Sequence, residues 1–444
     1  MRVDVQALSN RQQASVRMQN GAFFWLSAFY FVYFARPEDW VPFLGIVHMA
    51  KITGVLTMIA AFLSAGRTPR RIKDLPREAV YLLLLIAILF VSAVLSPVWR
   101  GGAFDNTVDF SKVSIAWCLT FLLVTTLARF RRIVFIQIAS VTVISLVALL
   151  KGYSSPRLGS VIGGIYSNPN DLAFTMVLSL PFCVAFLLSA KNKTRKIFWL
   201  LSILIMMVAL FKTGSRAGFI VLVIAGAVGL WHFGVKGKRV RLIVATVVVG
   251  VLMFAVFGDT LVQRFSAISD TSNSEAAEMA RESYEQRRIA MDKAFDATLK
   301  YPILGLGAGN FEPYSGMWRE VHMSYLQIAC EGGIPSLILY LLIFQRGFVN
   351  LRRLRRSNPD PETTLFAGAL HSSLIGFIVG ASFAPVAYHY FPYFTVCYTG
   401  VLAAMAAEKQ AAEAPAVKLT YSPRLGLAGA YSSSGRSRAI LPSH

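Results

Sequence analysis

Most of this chain is divided into apolar runs long enough to cross a bilayer, and that feature excludes almost every soluble fold. A membrane-spanning helix needs about 17–25 predominantly apolar residues. Such runs lie near 21–35, 41–65, 78–96, 109–128, 131–150, 170–190, 196–212, 216–232, 239–258, 322–345, 364–383 and 391–407. The first is short, and the fourth carries Asp109 and Lys112 at its entrance, which softens its boundary. The predicted fold is all-α, a polytopic transmembrane helical bundle of about twelve spans. Composition agrees: 55% of the 444 residues are hydrophobic, only 15% are charged, and the mean hydropathy is +0.55. So few charges cannot cover that much apolar surface in water, so lipid is the main solvent.

The formal net charge of +21 invites a nucleic-acid reading, but the distribution of the charge argues against one. Lys and Arg cluster in alternate connections: Arg67 to Arg77, Arg129 to Arg132, Lys191 to Lys196, Lys236 to Arg241 and Arg346 to Arg356. With the two termini these segments hold most of the 44 basic residues. Basic loops retained on the cytoplasmic side fix the orientation of a membrane protein. An even number of spans then puts both ends inside. The domain plan is a cytoplasmic segment at 1–20, a transmembrane domain at 21–407, and an Ala-, Ser-, Gly- and Pro-rich cytoplasmic tail at 408–444, expected to be disordered. No cleavable signal peptide and no internal repeat is visible. The four cysteines, Cys118, Cys183, Cys330 and Cys397, sit in or at the head of apolar runs without CxxC spacing and read as small core hydrophobes.

The opposite face carries a connection, 259–321, far longer than an ordinary loop, and loops of that length are usually functional. Within it Met291, Ala294, Phe295, Thr298 and Leu299 repeat at i, i+3, i+4, i+7 and i+8, predicting a helix with one apolar face. The helix is predicted to stop at Tyr301-Pro302, and Gly305, Gly307 and Gly309 follow. Glycines so spaced allow a sharp turn or a close approach of backbone to a ligand. A plain turn is the simpler account, and a phosphate cradle is the sharper one.

Three charged groups lie at membrane boundaries on that face. Arg216, in Thr213-Gly214-Ser215-Arg216-Ala217-Gly218, sits between two apolar runs, where a guanidinium is costly unless it is paired or lines a wet cavity. Snorkelling to the interface is the plain alternative. His322 opens the tenth run. Glu331 follows on roughly the opposite side of the same helix, so the two do not form an obvious dyad. Of the other histidines, His389 shares the outer face. Arg287 and Arg288 flank the predicted apolar stripe of the loop helix, and helical phase does not choose between them. No His, Asp and Glu cluster on this face has metal-ligand spacing; Glu38-Asp39 is the one paired carboxylate in a short outer loop.

At these residues the sequence resembles the O-antigen ligase and polymerase superfamily. The likeness is carried by Thr213-Gly214-Ser215-Arg216; by Arg287 followed by Tyr301-Pro302-Ile303-Leu304-Gly305-Leu306-Gly307-Ala308-Gly309-Asn310-Phe311; and by His322-x-x-Tyr325-Leu326 followed by Glu331-x-Gly333. A fourth segment is Arg157-Leu158-Gly159 with Asn168-Pro169-Asn170. The resemblance runs from about 155 to 345. It implies a glycosyltransferase of the bacterial inner membrane, independent of metal and cofactor, with a C-type-glycosyltransferase-like helical architecture and short helices in the long periplasmic loop. The implied partners are an undecaprenyl-diphosphate-linked glycan donor, a lipid or glycan acceptor, and membrane lipids, with no nucleic acid. The family pattern implies His322, Arg216 and Arg287 as catalytic residues, with Met291 where the family often has Trp. Arg157, Arg288, Tyr325, Gly305, Gly307 and Asn310 are the expected substrate-binding residues. Met323 stands where the family often has Asn. Guanidinium forks match phosphate oxygens, and an imidazole is the natural base for a sugar hydroxyl. Ligase-like transfer onto lipid A-core ranks first and polymerisation second. A transporter, which should display two related halves, ranks a distant third.

Overall fold

A computed structural model of the chain describes residues 5–64, 69–152, 158, 166, 168–237, 239–266, 275–317 and 319–413. Among these residues there are helices and no strand. The principal helices are α1 (Val5–Ala35), α2 (Met49–Leu63), α3 (Arg77–Val94), α4 (Arg100–Leu123), α5 (Leu127–Lys151), α6 (Pro169–Ser189), α7 (Lys193–Thr213) and α8 (Arg216–Leu230). They continue with α9 (Val240–Ser266), α10 (Glu275–Lys300), α11 (Ser324–Arg356), α12 (Pro361–Gly380) and α13 (Tyr390–Glu413).

Each of the twelve apolar runs holds a helix, and α10 is the helix expected inside the long loop. Among the described residues, eight helices are long and apolar enough to cross a membrane: α3, α5, α6, α7, α8 with the π-helical turn Trp231–Val235, α11, α12 and α13. The chain is an all-α polytopic membrane protein. The other four runs differ for visible reasons. The second yields only the 15-residue α2, because Pro42–Val47 forms a separate 3-10 turn and His48 takes a left-handed conformation before it. In α9 the apolar stretch is Val240–Leu252. The start of α1 is polar, and α4 carries Asp105, Asp109 and Lys112 in its first half. Two boundaries also move: α1 takes in residues 5–20, and α13 runs past 408 to Glu413.

Contacts between connections make the helices alternate in direction. At one end the basic loops are knitted together. Arg70, 2% exposed, donates to Glu408 (2.7 Å) and to the carbonyls of Phe121 (2.9 Å) and Val124 (3.1 Å), and lies over the Phe121 ring. Arg131 pairs with Glu362 at 2.5 Å, and Arg129 donates to Asn20 at 2.9 Å. At the other end Tyr166 donates to the Phe34 carbonyl, the Ser215 hydroxyl to Asn170, and Asn106 to the Ala308 carbonyl. The basic connections therefore share one end, as the charge pattern requires, and the candidate residues share the other. Between them lies an aromatic core of α1, α5, α11, α12 and α13, including Tyr30, Phe34, Phe130, Phe377 and Phe394. Buried hydroxyls such as those of Thr120 and Ser145 bond to carbonyls one turn back, at Ala116 and Val141, which offsets the cost of burying them.

Candidate functional site

The site is built on a break in α11. Gly333 takes φ +78° inside that helix, and Pro335 removes a further amide donor. The interrupted ladder frees carbonyls, and the segment after α10 satisfies them. Leu306 N donates to Cys330 O (2.9 Å), Gly307 N to Glu331 O (2.8 Å), and Ile334 N to Pro302 O (2.8 Å). Such close backbone packing leaves no room for side chains. A Cβ at Gly305 would lie 2.5 Å from the Glu331 carbonyl carbon, and one at Gly333 would lie 2.2 Å from Ile303 O. Gly305→Ala is expected to destabilise the protein by more than the ~1–2 kcal/mol of a left-handed alanine, since the clash with backbone adds to it. Detergent-solubilised thermal unfolding of the variant measures this, and an unchanged midpoint contradicts it.

The glycine segment is therefore a packing turn whose amides are engaged by backbone carbonyls. The Gly305 amide is committed to Tyr301 O and the Gly307 amide to Glu331 O. Asn310 is fully buried, and its amide donates to Ser96 Oγ (2.8 Å), Trp99 O (3.0 Å) and Leu306 O (3.0 Å). Tyr325 is also structural, its hydroxyl donating to Ile378 O at 2.7 Å. These four residues, expected as substrate contacts, hold the platform in place. Glu331 is buried and accepts the Phe311 amide at 3.4 Å. Arg157, the other expected contact, lies outside the described residues.

α10 lies against this platform through Ala290, Ala294 and Ala297, an i, i+4, i+7 stripe packed with Leu306, Phe311, Val321 and Cys330. The predicted apolar face is thus split. Ala294 and Thr298 turn inward, while Met291, Phe295 and Leu299 are 40%, 58% and 63% exposed. Arg287 follows the alanines inward and is half-buried, and Arg288 is exposed. Structure, not phase, separates the pair. The Arg287 guanidinium is pushed below its ordinary range by burial and by the neighbouring charges of Arg216 and Arg319.

Arg216 is presented by a sharp reversal between α7 and α8. Gly214 closes α7 in the left-handed conformation, and Ser215 caps α8 by accepting the Gly218 amide at 3.1 Å. The Ser215 hydroxyl donates to Asn170 at 2.7 Å, tying the reversal to the start of α6. Arg216 is then the first residue of α8, at the positive end of its dipole.

His322 precedes α11, in the extended stretch before its first turn, so helical phase against Glu331 does not apply. Ser324 fixes its position: the Ser324 amide donates to Ala381 O (2.7 Å) and its hydroxyl to Ala384 O (2.6 Å). The His322 Nδ1 lies 3.1 Å from the Glu320 carbonyl. A carbonyl only accepts, so Nδ1 carries the proton and Nε2 keeps its lone pair. Burial, Arg287 and Arg319 lower the pKa of the imidazole, against the opposing pull of the Glu320 carbonyl. Arg319 and Glu320 escaped the sequence reading, although a charged pair directly before the candidate histidine was a signal. Glu320 is open to solvent on one side, but its carboxyl is hemmed in by protein. That burial and the nearby Glu312 push it up to about 7. Burial holds His389 down at about 4, too weak a base for a sugar hydroxyl. Asp39 is engaged by Arg36 through Nε and, at 3.1 Å, through Nη2. No group of three or more His, Cys, Asp and Glu suited to a metal occurs among the described residues.

The site end thus gathers Arg216, Arg287, Arg319 and a neutral imidazole where the bundle meets its longest connection, an arrangement suited to an anionic substrate that must lose a proton from its reaction partner. No curated protein matches the chain. Residues 201–341, which include Arg216, Arg287 and His322, match the family described as O-antigen ligase. That match, set in an all-α membrane bundle, supports a place for the chain among the O-antigen ligase superfamily, membrane glycosyltransferases of the ligase and polymerase type.

Proposed function

We propose that the protein transfers a glycan from undecaprenyl diphosphate to lipid A-core or a related acceptor on the periplasmic face of the bacterial inner membrane. The observation that supports this reading is that Arg287, on the loop helix, lies within the electrostatic reach of both Arg216 and His322, which come from two other elements. Arg216, at a helix N-terminus, and Arg287 neutralise the diphosphate, each guanidinium offering paired donors to phosphate oxygens. His322 Nε2 takes the proton of the acceptor hydroxyl. The hydroxyl oxygen forms a bond to the anomeric carbon, the bond from that carbon to the phosphate oxygen breaks, and undecaprenyl diphosphate leaves with the electron pair. The arginines stabilise the charge that develops on the leaving oxygen. If the acceptor is another lipid-linked glycan, the same step extends the polymer.

Purified protein supplied with the lipid-linked glycan, with and without lipid A-core, separates ligation from polymerisation. Turnover is expected to survive EDTA, since guanidinium groups serve where other enzymes use a divalent cation. Loss of turnover in EDTA that Mg²⁺ or Mn²⁺ restores would overturn metal independence and move attention to Glu38 and Asp39.

A further inference from the structure

Among the described residues the outward side of α10 has no protein partner, and it does not resemble a water-facing surface. Tyr284, Met291, Phe295 and Leu299 are 64%, 40%, 58% and 63% exposed, with Arg288 among them. At 100° per residue these five fall on one side of the helix, roughly 130° from the buried alanine stripe. A third side carries Glu285, Asp292, Lys293 and Asp296. The helix thus has a protein face, a charged water face and an apolar face, and the last requires another neighbour.

Continuity with the membrane span identifies that neighbour. The apolar face runs on to Ile303, 69% exposed, just beyond the end of α10. Pro302 accepts the Ile334 amide at 2.8 Å, which brings this end of the face against α11. There Ile334, Ile338 and Leu341 are 43%, 53% and 47% exposed at i, i+4 and i+7, the strip that this span turns to lipid. An apolar surface therefore continues from a transmembrane helix onto a helix of the long connection. Arg288 and Tyr284 stand at its far end, where an interfacial helix places a cation and an aromatic ring against lipid headgroups.

We propose that α10 is seated in the bilayer leaflet on the site side, with Met291, Phe295, Leu299 and Ile303 among acyl chains and Arg288 against an anionic lipid phosphate. Arg287 is the next residue along the helix, so this seat sets the depth at which it meets a lipid-borne substrate. That consequence rests on the proposed function, but the seat itself does not.

The test uses full-length protein in nanodiscs, with Cys118, the one half-buried cysteine, replaced by alanine. Phe295→Cys and Asp296→Cys are labelled separately with an environment-sensitive fluorophore, and lipids carrying a shallow spin label act as quencher. The proposal expects several-fold stronger quenching at 295 than at 296. Changing phosphatidylcholine for phosphatidylglycerol should deepen it further, and Arg288→Gln should remove that increment. Equal quenching at the two positions overturns the seat. Protection at 295 that lipid quenchers do not reach, and that dilution into excess nanodiscs abolishes, assigns the face to a second copy of the chain and also overturns it. Neither readout depends on glycan transfer.

Discussion

Replacing His322 with alanine is expected to lower kcat by about a hundred- to ten-thousandfold, the usual range for losing a positioned general base, while the affinity for the lipid-linked donor stays near that of the native protein. Among the described residues the side chain has one hydrogen bond, from Nδ1 to the Glu320 carbonyl, and none of the platform's backbone contacts depends on it. The fold should therefore survive. The pH profile carries a second signature. Burial, Arg287 and Arg319 lower the imidazole pKa, so the active neutral base persists below the pH at which a free histidine would be protonated. The acid limb of kcat/KM should lie below the ordinary imidazole range. Removing a nearby cation makes protonation easier, so Arg319→Gln should move that limb to higher pH. A limb unmoved in Arg319→Gln, or donor binding lost in His322→Ala, would assign the histidine a different role.

Arg287→Lys and Arg216→Lys form the second large prediction. Lysine preserves the charge but not the planar paired donors. If both guanidiniums grip the diphosphate, each substitution should remove about 2–4 kcal/mol of transition-state stabilisation, roughly two to three orders of magnitude in rate. Arg288→Lys, on the exposed side of α10, should leave turnover within a few-fold of native. Parallel turnover assays in one membrane preparation, normalised to folded protein, decide the matter. Full activity in Arg287→Lys would remove that residue from the diphosphate site.

The helices, and the places of Arg216 and His322 at their ends, were legible because membrane spans and boundary charges follow from solvation alone. Bilayer thickness sets the length of an apolar run, and an arginine or histidine at its edge is conspicuous. What sequence did not resolve was the direction in which α10 faces. Large apolar side chains read as a core stripe, which grouped Met291, Phe295 and Leu299 with Ala294. The buried contact is made by Ala290, Ala294 and Ala297, whose small side chains let the helix approach the platform closely. Near lipid, large hydrophobes gain nothing by turning inward, so size ceases to predict burial. That inversion also hid the choice of Arg287 over Arg288. The packing partners of the glycines were hidden for a different reason. Gly305 and Gly307 answer to carbonyls freed by the break at Gly333, a partner remote in sequence that no local motif reveals. Asn310 likewise resembled a ligand contact, but its amide is consumed by Ser96, Trp99 and Leu306.

In the proposed reaction one site, made by Arg216, Arg287 and His322, moves a glycan off a lipid diphosphate. The most direct measurement is release of undecaprenyl diphosphate, coupled to glycosylated acceptor, by purified native protein and by His322→Ala given the same donor and lipid A-core. Equimolar release and transfer are expected of the native protein, with both lost together in His322→Ala while the variant still binds donor. Undiminished transfer by His322→Ala, or acceptor glycosylation without release of undecaprenyl diphosphate, would contradict the proposed reaction.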